Sequence, residues 1–463
     1  MQNFWDSGVW GTVNLAAVLL ISLIVGNALK KTLKFLRRSL IPTSVLGGLL
    51  LMLVGMAFRL ITGKVMLDTE FFGGNGMNMA ETITYHCLAL GFIATVFKHQ
   101  GEKMGKERTR EIFNTGVTTV STYLLQGILG LGITIVWAMF SSKMFPAAGI
   151  LLPFGYGQGT GQALNYGSIY EADYGFEGGK SFGLTVAAMG FLSAAIGGVI
   201  HLNAMRRRGR FTEGFEETAE KYSSEDIQRA TEIPMNGSID KLTVQLSFVF
   251  GTYAVTYLVI RVLGNLVPSF KSVLYGFNFL FGVIFGTIIN MILNRITSKT
   301  RLIQREYVNE FLMKRISGFF FDLMIVAGFA AIRIEVIGQY WPVLLTIGIV
   351  GAVSTYLYNK LVAQKLFEKY GEQQFMAMYG MLTGTASTGI VLLREIDRNF
   401  ETPVAENLVY QNFPAIVFGF PMMLIAALAP KQPVLSWIII TAFFIVMNVI
   451  LFRSFIFKRR EKK

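Results

Sequence analysis

The sequence predicts an all-α polytopic membrane protein built from two inverted-topology repeats. Hydrophobic residues make up 52% of the 463 residues and charged residues only 15%, whereas a soluble domain carries about 25% charged residues. A short proline motif occurs twice, as Ser39-Leu-Ile-Pro-Thr43 and as Leu266-Val-Pro-Ser269, and each copy opens an apolar stretch. The glycine-rich segment 155–161 also has a counterpart at 380–389. These observations predict two related halves, each with an interruption at the corresponding place.

Each predicted half contains five stretches that are long and apolar enough to cross a bilayer, which takes about 20 residues. Between the fourth and fifth stretch of each half lies a shorter segment, 147–168 and 374–393, that is rich in glycine and polar residues. We expect both segments to be re-entrant hairpins, because non-helical backbone survives at membrane depth only where it lines a cavity. The predicted spans are 9–29, 41–61, 80–97, 112–140, 182–202, 241–265, 270–293, 316–337, 342–362, 404–428 and 434–457.

The spans divide the chain into four segments. The first repeat covers 1–202, and the second repeat covers 241–428. Between them, segment 203–240 is too short and too polar to bury a core, and we predict that it is a cytoplasmic linker. The remaining segment, 429–463, is predicted to be an extra transmembrane helix with a basic cytoplasmic tail.

The distribution of basic residues predicts the orientation of the spans. Clusters of lysine and arginine follow the first, third, fifth, seventh and ninth spans and end the chain. The connections near 62–79, 141–146, 338–341 and 429–433 hold at most one lysine each. The positive-inside rule therefore places the N-terminus outside and the C-terminus in the cytoplasm. Because each half contains an odd number of spans, the second half runs inverted relative to the first.

The first predicted hairpin contains candidates for binding an anion. Gly157, Gly159 and Gly161 permit an unwound tip. A half-helix that starts near the middle of the membrane offers unpaired N–H groups and the positive end of its dipole, which suit a carboxylate. The substrate-binding candidates in this hairpin are Gly157, Gln158, Gly159, Thr160, Gly161, Gln162 and Asn165.

The second predicted hairpin combines freed backbone carbonyls with hydroxyl side chains. Oxygen ligands of this kind suit Na⁺. The alternative is that both glycine-rich segments are tight helix–helix contacts between small residues, but their occurrence at matching places in two halves favours a binding site. We predict Thr385 and Ser387 as substrate contacts, and Thr383, Gly384, Thr388 and Gly389 as Na⁺ ligands.

Polar residues inside other predicted spans add further candidates. Asp322 lies near the start of its span, where it can coordinate a cation or form a structural contact at the interface. Asn407, Gln411 and Asn412 fall at i, i+4 and i+5 of a predicted helix. We predict Asp322 as a Na⁺ ligand and the three amides as substrate contacts. The alternative for the amides is a seam of interhelical hydrogen bonds.

Several classes of function lack their sequence signatures. A single cysteine excludes a disulfide framework, and the three histidines have no HExxH spacing. Paired aspartates or a Ser–His pair inside spans are not evident, and the pattern GxxxxGK[ST] is absent. We therefore expect a secondary active transporter of an organic anion, not an enzyme, with no cofactor besides Na⁺ as coupling ion. Its partners would be the lipid bilayer, Na⁺ and the substrate, with no nucleic acid. A channel is the alternative class, but it needs a continuous polar pore.

Several short stretches resemble the motifs of a known family: Gly157-Gln-Gly-Thr-Gly-Gln-Ala163, Tyr174-Gly-Phe176, Gly197-Gly198, Ile41-Pro42 and Gly47-Gly48. The chain resembles the bacterial sodium/glutamate symporter family in its layout and in a few stretches. The family's histidine in the first hairpin is Gln158 here, its second hairpin reads Thr385-Ala-Ser-Thr388, and the C-terminal helix is additional.

The resemblance implies Na⁺-coupled uptake of an acidic amino acid such as glutamate across the bacterial cytoplasmic (inner) membrane. It also implies a homodimer in which each protomer moves by an elevator mechanism, with both hairpins in a transport domain that slides against a fixed scaffold. The alternative within transport is a different carboxylate driven by H⁺.

Overall fold

The computed structural model describes residues 3–97, 105–208, 232–235, 239–268, 271–299, 305–397 and 401–458. Within these ranges the chain is helical and forms no strand, apart from an isolated bridge between Glu232 and Glu306. The predicted all-α class is confirmed. Most of the predicted linker 203–240 lies outside the described ranges, and so does the end of the basic tail.

In the described residues, three single 3₁₀ turns lie at Met66–Asp68, Glu70–Phe72 and Ala148–Ile150. In chain order the α-helices are α1 (Ser7–Thr32), α2 (Lys34–Arg38), α3 (Thr43–Thr62), α4 (Gly76–Val96), α5 (Lys106–Phe140), α6 (Leu151–Tyr174), α7 (Gly179–Arg207), α8 (Lys241–Leu266), α9 (Lys271–Gly276), α10 (Asn278–Lys299), α11 (Glu310–Ala330), α12 (Ile334–Leu366), α13 (Gly371–Thr383), α14 (Ala386–Arg394), α15 (Val404–Tyr410), α16 (Asn412–Leu428), α17 (Pro433–Leu451) and α18 (Arg453–Lys458).

Nine helices in the described part of the chain are long and apolar enough to cross a membrane: α1, α3, α4, α5, α7, α8, α10, α12 and α17. The pair formed by α15 and α16 is a tenth candidate and bends by 47°. Large apolar side chains such as Ile24 on α1, Leu258 on α8 and Ile445 on α17 are exposed. A bilayer covers such surfaces, whereas water disfavours them. The chain is therefore a multi-pass membrane protein, as predicted.

The predicted span 316–337 is wrong at its end, and its helix α11 is not among the described helices that are long and apolar enough to cross a membrane. The predicted span 316–337 runs past Ala330, where α11 ends, and into α12. At this break the backbone N–H of Arg333 donates to the Ser181 hydroxyl at 3.0 Å, which supplies a partner outside the helix. The two residues between Ala330 and Arg333 are apolar, so composition did not reveal the break.

Three other predicted spans are each divided between two helices by a single residue. For α15 and α16 the cause is Pro414, which has no N–H to donate to the carbonyl of Tyr410. The chain therefore bends at Gln411, between the two helices. The divided spans are 270–293, 404–428 and 434–457.

The described residues fall into two compact units. One unit comprises the described parts of Met1–Ala80, Met104–Phe215 and Gly328–Lys463. The other comprises the described parts of Glu81–Lys103 and Glu216–Ala327. Both glycine-rich segments belong to the first unit, together with the helices α5, α7 and α12 that pack against them.

Candidate functional site

The first glycine-rich segment folds as a helical hairpin with its tip at Gly159. Its first arm, 151–158, runs parallel to α7, and its second arm, 160–174, runs antiparallel to α7. The rings of Phe154 and Tyr166 stack 4.1 Å apart, although a straight helix would separate their Cα atoms by about 18 Å. The contacts with α7 that define the direction are Gly155 with Ala187 and Tyr156 with Ser193 in the first arm, and Ala163 with Gly183 and Gly167 with Gly179 in the second arm.

The reversal depends on the backbone conformation of Gly159. Its φ of 78° and ψ of −167° lie in a region that only glycine occupies without strain. Gly157 is needed for a different reason, since a Cβ atom there would lie 2.0 Å from the ring of Tyr123. One glycine therefore turns the chain, and the other allows α5 to approach the hairpin.

The second glycine-rich segment forms a hairpin from α13 and α14, with Gly384 and Thr385 at its tip. Both residues leave helical geometry, with φ/ψ of −148°/−105° and −142°/171°. The two arms pack closely, because a Cβ atom at Gly380 would lie 2.8 Å from the Cα atom of Gly389. The hydroxyl of Thr385 accepts the backbone N–H of Thr388 at 3.5 Å and caps α14.

The two hairpins meet at Gly190 of α7. A Cβ atom at Gly190 would lie 2.5 Å from the carbonyl oxygen of Thr383 and 3.3 Å from the Cα atom of Tyr156. The missing side chain thus lets the last turn of α13 and the first arm of the first hairpin approach the same point of α7.

Helix α5 donates one hydrogen bond to each hairpin. The Tyr123 hydroxyl donates to the carbonyl of Gly157 at 3.0 Å, and the Gln126 amide donates to the carbonyl of Leu382 at 2.9 Å. Both carbonyls lie at the end of a first arm, where the helix supplies no further backbone N–H group to bond them. The two hairpins are therefore held in an equivalent way at the same helix.

In both hairpins the stretches of the arms next to the tip are buried, whereas the tip itself is partly accessible. From residue 151 to residue 167, Gln158 alone is not buried. From residue 374 to residue 389, the residues that are not buried are Thr385, Ala386 and Ser387. Among these described residues, a solute can therefore reach the backbone of the hairpins only next to the two chain reversals.

The predicted polar residues of the first hairpin lie in the first turns of its second arm. The Asn165 amide donates to the Gln162 amide oxygen at 3.2 Å, and both side chains are buried. The amide nitrogen of Gln162 has no hydrogen-bond partner in the described chain. Thr160 and Gly161 are also buried, and Thr160 packs against Gly328. An unpaired buried donor close to the tip suits an acceptor such as a carboxylate oxygen.

The hydroxyl groups of the second hairpin have different environments. The Thr383 hydroxyl donates to the carbonyl of Tyr379 at 2.6 Å and so is used within its own helix. The hydroxyl oxygens of Thr385 and Thr388 lie 3.3 Å apart at the tip, and Thr388 is fully buried. Ser387 is exposed. The tip therefore presents a pair of facing hydroxyls beside an accessible serine.

The predicted amide stripe lies between α5 and α13. Gln411 accepts a hydrogen bond from the Thr119 hydroxyl at 2.9 Å and donates to Asn412 at 2.9 Å. Its amide nitrogen also lies 3.5 Å from the sulfur of Met381 in α13. Asn407 is fully buried. Neither its amide nitrogen nor its amide oxygen lies in hydrogen-bond geometry with another described residue. These contacts form an interhelical seam, and a substrate role for the three amides stays a prediction.

Asp322 does not belong to the unit that contains the two hairpins. It belongs to α11 in the second unit, and its side chain is exposed. The same helix carries Glu310 and Lys314, which pair at 3.0 Å. A role of Asp322 in binding Na⁺ stays a prediction.

A buried polar face on α5 is absent from the sequence-predicted sites. Thr115, Thr119, Thr122 and Gln126 recur at i, i+4, i+7 and i+11, which places them on one face of the helix. All four are buried. This spacing of hydroxyls and an amide within the predicted span 112–140 is the signal that could have identified them. Their partners are Gln374, Gln411, Asn359 and Thr355, respectively.

A cavity of about 340 Å³ lies elsewhere in the first unit. Its charged lining residues are Arg59, Asp68, Arg333 and Glu335, and Arg59 forms an ion pair with Glu335. None of the sequence-predicted binding residues lines it. Because Glu335 neutralises Arg59, we place the candidate site at the hairpin tips rather than in this cavity.

No protein-family model matches the chain, and no curated protein matches it significantly.

Proposed function

We propose that the protein is a Na⁺-coupled secondary active transporter of a small organic anion, such as an acidic amino acid. The observation that carries the proposal is the pair of helical hairpins that meet at Gly190 and whose tips are partly accessible while the neighbouring stretches 151–157 and 374–384 are buried. Each second arm begins at a tip, so its N-terminal N–H groups face the position of a bound anion. The first unit holds both hairpins and is the candidate moving element of an elevator mechanism.

The lack of charged side chains at the site explains why the anion needs a cation. Segments 147–168 and 374–393 contain no Asp, Glu, His, Lys or Arg. Placing an isolated carboxylate in a buried, uncharged site costs several kcal/mol. A Na⁺ ion bound next to the carboxylate makes the pair neutral and lowers this cost. Coupling then follows, because the anion binds poorly unless the cation is bound beside it.

The absence of Asp, Glu, His, Lys and Arg from both hairpin segments also favours Na⁺ over H⁺ as the coupling ion. A proton-coupled carrier needs a titratable side chain that alternates between its charged and neutral forms during transport. Neither hairpin segment contains an Asp, Glu, His or Lys side chain for this role. Backbone carbonyls and hydroxyls are present instead, and these are ligands for Na⁺.

Uptake into liposomes tests the proposal. Purified protein is reconstituted, and labelled acidic amino acids and dicarboxylates are supplied under an inward gradient of Na⁺, of K⁺ or of H⁺ alone. We expect at least one anion to accumulate with the Na⁺ gradient only. Accumulation with the H⁺ gradient alone would support the proton-driven alternative, and a current that needs no gradient of Na⁺ would support a channel.

Replacing Thr388 with valine should weaken the response to Na⁺. Valine keeps the shape of threonine but removes the hydroxyl that faces Thr385 at the tip. Loss of one charge-assisted contact costs about 1.5–3 kcal/mol, so the half-saturating Na⁺ concentration should rise about tenfold to a hundredfold. Substrate recognition at saturating Na⁺ should change less. Uptake measured over a range of Na⁺ concentrations gives both values.

The matched control for this experiment is Thr287→Val. Thr287 is exposed on α10, and its hydroxyl donates to the carbonyl of Val283 within the same helix. Its replacement should leave the Na⁺ dependence unchanged. If Thr388→Val also keeps the Na⁺ dependence of the unmodified protein, Thr388 does not ligate the ion.

A further inference from the structure

Two buried amide side chains, Gln126 on α5 and Asn359 on α12, have unpaired oxygen atoms. Their exposed fractions are 0% and 1%, and neither Oε1 of Gln126 nor Oδ1 of Asn359 has a hydrogen-bond partner in the described chain. A buried acceptor without a partner costs about 1–3 kcal/mol. The amide nitrogens of both side chains donate to Thr355, so the two amide groups belong to one cluster.

The amide hydrogens of this cluster are already used. Gln126 donates to the Thr355 hydroxyl at 2.8 Å and to the Leu382 carbonyl at 2.9 Å. Asn359 donates to the Thr355 carbonyl at 2.9 Å and to the Thr122 hydroxyl at 3.3 Å. An amide group has two hydrogens to donate, so no amide donor remains. The cluster is rich in oxygen acceptors and poor in donors.

A cation fits such a cluster better than a water molecule does. A buried water molecule both donates and accepts hydrogen bonds. The hydroxyl hydrogen of Thr122 is also in use, because it is donated to the carbonyl of Thr118 at 2.8 Å. The oxygen of a water molecule would therefore find few donors, whereas a cation needs acceptors alone.

The oxygens of the cluster are all uncharged, which selects a monovalent ion. Divalent Ca²⁺ and Mg²⁺ sites in proteins contain carboxylates. In the described part of the chain no group of three or more His, Cys, Asp or Glu could hold a metal ion. Leu382 lies in the last turn of α13, where the negative end of the helix dipole adds a favourable potential for a cation.

We propose that Gln126 and Asn359, together with the Leu382 carbonyl and the hydroxyls of Thr122 and Thr355, form a binding site for a monovalent cation. The identity of the cation as Na⁺ rests on the proposed function. Leu382 lies two residues before Gly384, so a bound ion connects α5 and α12 to the tip of the second hairpin. Occupancy of this site then determines whether the tip is held in place for substrate.

Binding of Na⁺ to the purified full-length protein, without any organic substrate, tests this site. The melting temperature is measured over a range of Na⁺ concentrations, with choline keeping the ionic strength constant. Asn359→Leu should raise the midpoint of the Na⁺-dependent stabilisation about tenfold or more, since one ion ligand is lost. Asn359→Asp keeps an oxygen ligand and adds a negative charge, so it should lower the midpoint. A purely structural role of Asn359 does not predict these opposite shifts.

The control is Asn448→Leu. The Asn448 side chain accepts from the Tyr358 hydroxyl at 2.8 Å and donates to the carbonyl of Phe444, so it has no unpaired oxygen to offer. Its replacement should leave the Na⁺ midpoint unchanged. If Asn359→Leu does not yield folded protein, the direction of the shift in Asn359→Asp decides the question.

The outcomes separate this site from the proposed function. Identical Na⁺ midpoints in the unmodified protein and in Asn359→Asp, or no stabilisation by Na⁺ at all, would overturn the site and leave water as its occupant. Normal Na⁺-driven uptake combined with unchanged midpoints would contradict the site but not the transport function. Shifted midpoints without any Na⁺-driven uptake would contradict the transport function but not the site.

Discussion

Replacing Gly159 with valine should abolish transport while the protein still inserts into the membrane. The φ/ψ values of Gly159, 78° and −167°, lie in a region that costs other residues about 1–3 kcal/mol, and a β-branched side chain restricts the backbone further. The chain can then no longer reverse at this tip. Because a displaced tip removes the predicted substrate contacts of the first hairpin together, we expect uptake to fall on the order of 100-fold or more. Liposome uptake and the amount of purified monodisperse protein give the two readouts.

Gly175→Val is the matched control for this experiment. Gly175 follows the same helix at its other end, also has a positive φ of 69°, and a Cβ atom there would meet nothing within 4 Å. The substitution places a similar backbone strain of about 1–2 kcal/mol outside the tip. It should lower stability but preserve uptake. Normal uptake by Gly159→Val would contradict the assignment of the substrate site to the first hairpin.

Replacing Gly190 with alanine should reduce transport strongly through a single methyl group. The new Cβ atom would lie 2.5 Å from the Thr383 carbonyl oxygen, which belongs to the backbone and cannot rotate away. Overpacking of this kind costs about 1–3 kcal/mol and pushes the second hairpin away from Tyr156 of the first. We expect uptake to fall about tenfold or more, because each 1.36 kcal/mol in the barrier changes a rate about tenfold.

The control for Gly190→Ala is Gly251→Ala on α8. A Cβ atom at Gly251 would meet nothing within 4 Å, and alanine favours a helix over glycine by about 1 kcal/mol. This variant should transport normally and melt at the same or a slightly higher temperature. If Gly190→Ala also transports normally, the two hairpins need not approach each other at α7, and the proposed site loses its main support.

The helical membrane class and the two hairpin segments could be predicted because they depend on local properties. Length and hydropathy of a stretch decide whether it suits a bilayer, and glycine decides where a backbone can leave the helix. The segment predicted as 147–168 contains the reversal at Gly159, and the segment predicted as 374–393 contains the tip at Gly384. Whether the two hairpins enter the membrane from opposite sides stays a prediction.

Other features could not be predicted from local composition. The break after Ala330 falls between apolar residues, and its freed N–H group is bonded by Ser181, a residue that is distant in sequence. The sequence also does not distinguish the roles of individual glycines. Gly159 turns the chain, whereas Gly157 only makes room for Tyr123, and the same residue type gives no hint of this difference.

The polar face of α5 is partly predictable from the sequence, but its contacts depend on the tertiary structure. Its spacing of hydroxyls and an amide is visible in the sequence, and polar residues in a spanning helix are known to face inward. Only the fold, however, brings Gln126 and Asn359, which are more than 200 residues apart in the chain, to the same residue Thr355 and leaves one oxygen of each amide unpaired. Hydropathy and backbone preference are properties of neighbouring residues and therefore predict helices and tips. A binding site depends on which distant atoms meet and which remain unsatisfied, and that is decided by packing.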